Sequence, residues 1–257
     1  MPIPVEQRNE LIRAALAKFN PNVKDFSHDR GLPTRPVGHV SGIATSTSIV
    51  RSYRKDHRRG SHNVEPQQVI DVLNDAGIRR WVLMGLYGYV GYLAQPRATQ
   101  DVDLLVAEDE LEKVILAIEL RWPELQTERL EVVVRFRDPG EVAMTGEMKQ
   151  VIDVLLPSSD CYAAILARYH RIDKTTGHKV PTLEAACASK FAALVSPHRD
   201  FDRKQQDAVD LRNIMVPNSE EIDKAILERL GDLVYPGGGA ELLEFLDLAI
   251  HKKPFPI

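Results

Sequence analysis

The sequence predicts an α+β fold, a small mixed sheet with flanking helices followed by a helical bundle. Three observations predict it. Short strand-like apolar runs are confined to the middle of the chain, near residues 80–84, 102–106, 130–137 and 150–156. Helical periodicity takes over beyond residue 160. No internal repeat or low-complexity tract breaks that order. With 257 residues, the chain can hold one large domain or two small ones around a proper core.

The elements follow in order. Residues 5–19 place Leu11, Ala15 and Phe19 on one side of a helix. Residues 20–47, rich in Pro, Gly, Ser and Thr, read as irregular. Next comes RSYRKDHRRGSH, with Arg51, Arg54, Lys55, Arg58 and Arg59 against one acid, Asp56. It reads either as a solvated helix face or as a patch for the phosphates of RNA. Residues 66–77 (PQQVIDVLNDAG) read as a helix between Pro66 and Gly77. RWVLM is a strand. Residues 85–99 hold Gly85, Gly88 and Gly91 among aromatics, then the polar QPRAT. VDLLV is a second strand, and Glu108–Leu120 a helix. LEVVVRFR alternates as a strand should, and Asp138-Pro139-Gly140 predicts a turn. QVIDVLL is a further strand, stopped by Pro157. Helices are expected near 160–172, 182–195, 201–215, 219–231 and 240–250. Boundaries near 64 and 158 divide the chain into an N-terminal helix with a basic segment (1–64), a central core (65–158) and a C-terminal helical domain (159–257).

Apolar residues make up 44% and charged residues 27% of the chain, an ordinary soluble balance. No apolar run approaches the ~20 residues of a membrane span. The opening MPIPVEQRNELIRAAL lacks the apolar stretch of a signal peptide. Cys161 and Cys187 form no metal-binding spacing and read as reduced core thiols of a cytoplasmic protein. A net charge of −4 argues against a protein whose main task is coating nucleic acid, so any such contact must come from a local patch.

Three aspartates read as candidates for the chemistry, against a structural reading in which a DxD is a turn or cap. Asp101 and Asp103 flank Val102 at the start of an apolar strand, so their side chains share one face. Two such charges repel unless a cation lies between them. Oxygen-only ligands suit Mg²⁺ or Mn²⁺. Asp153 interrupts Val151-Ile152-Asp153-Val154-Leu155, where a lone buried carboxylate is costly. If its strand lies beside that of Asp103, three carboxylates converge on one edge. Two-metal phosphoryl transfer needs that arrangement.

Gly85, with Arg97-x-Thr99-x-Asp101-Val102-Asp103-Leu104, resembles the signature of minimal nucleotidyltransferases. The resemblance is closest to the AbiEii-type bacterial toxins, and it covers about residues 68–215. It implies a polymerase-β-like nucleotidyltransferase core, in which Asp101, Asp103 and Asp153 hold Mg²⁺ or Mn²⁺ and an NTP is the substrate. The same DxD spacing occurs in sugar-nucleotide glycosyltransferases, but there the apolar strand precedes the acids, and here it follows them. Where the family has Gly-Gly or Gly-Ser, this chain has Gly85-Leu86.

Lys190 in ASKFAAL lies in the middle of the apolar stripe formed by Leu183, Cys187 and Leu194. It either snorkels out or points at an anion. The family resemblance implies a contact to NTP phosphates. Arg203-Lys204-x-x-Asp207-x-x-Asp210-Leu211 resembles the family's next motif. Lys204 and Asp207 pair with each other at i,i+3, or Asp207 orients Lys190. Asp210 reads as a partner for Arg203 or Arg212. The resemblance implies nucleotide contacts for Gly85, Gly88, Arg97, Thr99, Lys190 and Lys204, and catalytic roles for the three aspartates, Lys190 and Asp207. Three functions stay open: a transferase modifying RNA, as the toxin of a pair with a cognate antitoxin; a transferase acting on a small molecule or protein; and a non-catalytic nucleotide binder.

Overall fold

The computed structural model describes residues 3–20, 64–93, 99, 101–142, 146–174 and 176–256. The irregular stretch expected over 20–47 (beyond residue 20), the basic segment with Arg51 to Arg59, and Arg97 lie outside the described residues.

Helix α1 (Val5–Lys18) comes first. Helix α2 (Pro66–Asp75) opens on a reciprocal cap: the Glu65 backbone N–H donates to Gln68, whose own backbone N–H meets the Glu65 side chain. Strand β1 (Trp81–Leu83) leads into a short helix α3 (Gly85–Tyr89) and a 3-10 turn over Val90–Tyr92. The stretch holding Gly85, Gly88 and Gly91 among aromatics is therefore helical over residues 85–92, with Leu86, Tyr87, Tyr89 and Val90 all buried. Strand β2 (Val102–Val106), helix α4 (Leu111–Arg121) and strands β3 (Gln126–Arg129), β4 (Val133–Val142) and β5 (Met148–Leu155) follow. Asp138-Pro139-Gly140 does not reverse the chain. Asp138 accepts the Gly140 N–H and the strand runs on to Val142 with an irregular register. Strand β5 then pairs back antiparallel, with Met148 opposite Val142.

The sheet order is β1-β2-β5-β4-β3. Only β2 and β5 run parallel, and the other pairs are antiparallel. The sheet is thus small and mixed, as expected.

Beyond it, α5 (Asp160–Ala167) is shorter than expected. The chain instead makes a hairpin, β6 (His170–Ile172) and β7 (Lys179–Pro181). Its loop explains the early stop. Asp173 accepts from the backbone and hydroxyl of Thr176, and Gly177 takes φ +71°, turning the chain back. Helices α6 (Leu183–Val195), α7 (Phe201–Met215), α8 (Lys224–Val234) and α9 (Gly238–Ile250) complete the chain. Helix α8 starts later than periodicity suggests because Asp223 caps it, accepting from Ala225 and Ile226 N–H.

Two apolar clusters sandwich the sheet. Trp81, Leu83, Leu104 and Val106 pack on one face with residues of α2 and α4. Val82, Met84 and Leu105 pack on the other, with α6 to α9 around the fully buried Phe191. Burying a side chain of that size is worth about 1.5–3 kcal/mol. Helix α1 joins the second cluster through Ile12. Its buried Arg8 donates to Glu241 of α9, which also accepts from Tyr235, and to the carbonyl of Pro256 at 3.3 Å. Cys161 and Cys187 are free and buried in this cluster, with both thiols pushed up by burial. Among the described residues, no helix is long and apolar enough to cross a membrane.

Candidate active site

The site is built on the parallel seam of the sheet. Strand alternation buries Val102 fully and leaves Asp101 and Asp103 half-buried. The register of β2 with β5 places Asp103 beside Asp153. The register of β5 with β4 places Asp153 beside Arg135. Asp103, Asp153 and Arg135 therefore form one row across three strands. Asp101 stands next to the row, and its carboxylate accepts the Thr99 hydroxyl.

Electrostatics in this row are unfavourable. Burial raises the Asp103 carboxyl well above the usual carboxylate range. Asp101 and Asp153 raise it further, against the charges of Lys190 and Arg199. Burial, then Asp101, pushes Asp153 up to about 6, against Arg135, Arg137 and Arg203. The Asp153–Arg135 contact does not resolve the conflict. Nε of Arg135 is 3.8 Å from Oδ2, too far for a hydrogen bond. Among the described residues, Asp153 Oδ1 and Arg135 Nε are both buried without a hydrogen-bond partner.

These facts test whether the residues fit a divalent metal. The donors are all oxygens, like charges crowd together, and one buried carboxylate oxygen is unsatisfied. Each points to a hard cation. Among the described residues no three His, Cys, Asp or Glu side chains make a ready ligand set. The three aspartates are neighbours rather than a closed cage, and side-chain rotation would have to bring them onto an ion.

Gly85 shapes the wall over Asp103. Its φ is +58°, and a Cβ there would come 1.7 Å from Asp103 Oδ2. Only glycine lets the start of α3 lie against that carboxylate. Gly88 has a different reason. A Cβ there would meet the Leu83 carbonyl at 2.2 Å, so its missing side chain serves packing of α3 on its own strand. Leu86, next to Gly85, is buried in the core.

The helical half brings cations to the same place. Thr182 caps α6 by accepting from the Ala185 N–H. Lys190 on that helix donates to Asp207 Oδ1 at 2.9 Å and Asp210 Oδ2 at 2.8 Å on α7. Its Nζ also lies 5.8 Å from the Tyr89 ring centre. Burial works against the ammonium, but Asp207 and Asp210 outweigh it and hold its pKa above the ordinary value. Asp207 Oδ2 takes Arg199 Nε and Nη2 at 2.9 and 2.8 Å. Asp207 thus meets Lys190 and Arg199, not Lys204. Asp210 meets Lys190 and Gln206. Lys204 has its pKa lowered by burial and then by the nearby Arg8 charge. Arg199 and Arg135 were missed by the sequence reading. Arg199 sits in an interhelical loop with no motif of its own. Arg135 is one arginine of an alternating strand, visible only once the register is known.

A scan against protein-family models found no match, and neither did a search of curated proteins. Solved structures are similar at low identity. One is an antigenic nucleotidyltransferase-like protein from Paracoccidioides brasiliensis, 13% identical with a TM-score of 0.40, covering 85% of this chain and 96% of its own. Another is JHP933 from Helicobacter pylori, 14% identical with a TM-score of 0.42, covering 73% of this chain and 91% of its own. A third is the antibiotic-resistance factor ANT(2'')-Ia, 12% identical with a TM-score of 0.44, covering 72% of this chain and 94% of its own. With identities and TM-scores this low, function has to be read from the chain's own residues.

Proposed function

We propose that the chain is a metal-dependent nucleotidyltransferase of the polymerase-β-like class, moving an NMP from an NTP to an acceptor hydroxyl. The observation that carries this is the cross-strand row: Asp103 beside Asp153, with Asp101 adjacent and Oδ1 of Asp153 buried without a hydrogen-bond partner among the described residues. Asp101 and Asp103 would hold both ions and Asp153 the one nearer the acceptor. Bound Mg²⁺ or Mn²⁺ would offset the like charges and polarise the reacting phosphate.

The chain's own residues do the rest. Thr99 steadies Asp101. Gly85 keeps the start of α3 close to Asp103 without a side chain between, and Gly88 keeps that short helix seated. Arg97 and Lys204 belong to the nucleotide side only by family resemblance. Lys190, whose charge reaches Asp103, spends two of its three N–H donors on Asp207 and Asp210. The third is available to a phosphate oxygen. Asp207, clamped by Arg199, acts by positioning Lys190. In the reaction the acceptor oxygen forms a bond to the α-phosphorus. The bond from that phosphorus to the bridging oxygen breaks, and pyrophosphate leaves with the electron pair. The acceptor proton passes to Asp153 or a water beside it.

The resemblance to AbiEii-type toxins carries the antitoxin partner, and no described residue bears on it. The cluster from Arg51 to Arg59 that favoured RNA also lies outside the described residues. The test is incubation with each labelled NTP, Mg²⁺ and total cell RNA or lysate. Label should move to an acceptor only with metal present, and Asp101→Ala or Asp103→Ala should abolish it. Full activity after loss of either carboxylate would overturn the assignment.

A further inference from the structure

We infer that the acceptor is anionic, carrying a phosphate beside the hydroxyl that reacts, and that Arg135 and Arg203 bind that phosphate. The inference rests on the transferase reading and adds the acceptor's class. The acceptor side of the site is the side of Asp153. On it the structure gathers positive charge. Arg135 is its direct cross-strand neighbour. Arg137 lies two residues along the same face of β4, and Arg203, in the first turn of α7, adds a positive charge that Asp153 feels.

These arginines differ in how far they are committed. Arg137 is engaged, donating to Glu128 at 2.8 Å and to the Met148 carbonyl at 3.1 Å. Arg203 is over half exposed, and its ion pair with the exposed Asp200 spans 4.0 Å. Such a pair contributes little. Arg135 is about a quarter exposed, and its Nε–H is buried without an acceptor among the described residues. A buried, unspent guanidinium N–H is costly unless something completes it. Asp153 does not do so at 3.8 Å. Taking Asp153 onto a cation would release Arg135 further. A phosphate oxygen is the natural ligand for an arginine fork. A cationic acceptor would meet like charge here, and a neutral polyol would leave the fork unsatisfied.

The shared chemistry, a phosphate next to a hydroxyl, could come from a polynucleotide end or from a small phosphate ester. The test uses the whole chain with Mg²⁺ and reads binding, not turnover. A fluorescein-labelled single-stranded oligoribonucleotide is titrated by anisotropy, with ribose 5-phosphate, ribose and spermine as competitors. A fluorescent ATP analogue reads nucleotide binding separately. Arg135→Gln and the exposed Arg203→Gln should each weaken oligonucleotide or ribose 5-phosphate binding by about tenfold. Arg135→Lys should restore only part of it, because the fork is lost. Competition by ribose 5-phosphate comparable to that by unlabelled oligonucleotide assigns a small ester, and weak competition assigns a polynucleotide. Wild-type chain that binds neither ligand, or variants that bind both like wild type, would overturn the inference. If the ATP analogue still binds in that case, the transferase reading survives it. If the analogue alone fails to bind, the transferase reading falls and anion binding stands.

Discussion

A methyl group on residue 85 would lie 1.7 Å from Oδ2 of Asp103, and Gly85 already holds a left-handed φ of +58°. Gly85→Ala should therefore act twice. The backbone strain costs about 1–2 kcal/mol. The methyl also drives the Asp103 carboxylate out of line, and a displacement of that order costs about a hundredfold in turnover. Gly146→Ala is the control, with φ +85° and nothing within 4 Å of its Cβ. It should show strain in thermal denaturation but normal label transfer. Equal transfer by both variants would remove Gly85 from the site.

Asp103→Asn should make the metal-free chain more stable at neutral pH. The folded carboxyl sits well above the ordinary 3.8, chiefly through burial and then through Asp101 and Asp153. A raised pKa means the native state holds its proton longer than the unfolded chain does. Its stabilising contribution is present below the unfolded value and lost as pH rises through the folded one. The variant's advantage should thus vanish on acidification toward that ordinary value. Mg²⁺ should reverse the order, raising the melting temperature of the wild type and not of the variant. A variant that melts below the metal-free wild type at neutral pH would contradict this.

Lys190→Met should be costly to the fold as well as to chemistry. Its ammonium is the shared partner of Asp207 and Asp210, whose side chains are both only 2% exposed. Removing one member of a buried ion cluster leaves uncompensated charge, worth about 3–5 kcal/mol. Replacing Asp210 by Asn in the same chain should recover part of the loss. Denaturant titration of the single and double variants measures that coupling, and strict additivity would argue against the cluster.

His178 should give the fold a weak point in mild acid. Its Nε2 meets Gln67 Oε1 at 2.7 Å, which assigns the ring hydrogen to Nε2 from the hydrogen-bond network. Nδ1 is left buried without a partner among the described residues. Burial lowers the pKa below 6.5, against Asp173 and Asp71. The unfolded chain then takes up the proton first, so stability falls as pH drops below 6.5. His170 shifts the same way through burial. His178→Gln should flatten, not abolish, that slope in denaturation curves between about pH 7 and 5. An unchanged slope would place the proton elsewhere.

Much of this was legible in the sequence, and the limits have physical causes. Strands with long apolar runs, such as Val102–Val106, announced themselves because both faces are covered. The aspartate spacing was readable because alternation along a strand is local. What was not local was lost. Nothing near Arg135 says that it faces Asp153, since that depends on the register of two strands. The stripe around Lys190 was visible, but its partners on the next helix were not, because interhelical packing decides them. Asp173 and Gly177, turn signals between two expected helices, were passed over, and with them the hairpin they close.

The parallel pairing of β2 with β5 has a consequence for how the chain becomes active. Asp103 and Asp153 are distant in sequence. They become neighbours only after the β3–β4–β5 meander has folded back and docked beside β2. Contacts of such long separation form late, because the loop entropy must be met first. A chain with its helices formed but this seam open has no carboxylate row. Recovery of transfer during refolding would then trail the recovery of helical signal, and activity would time the last step of assembly.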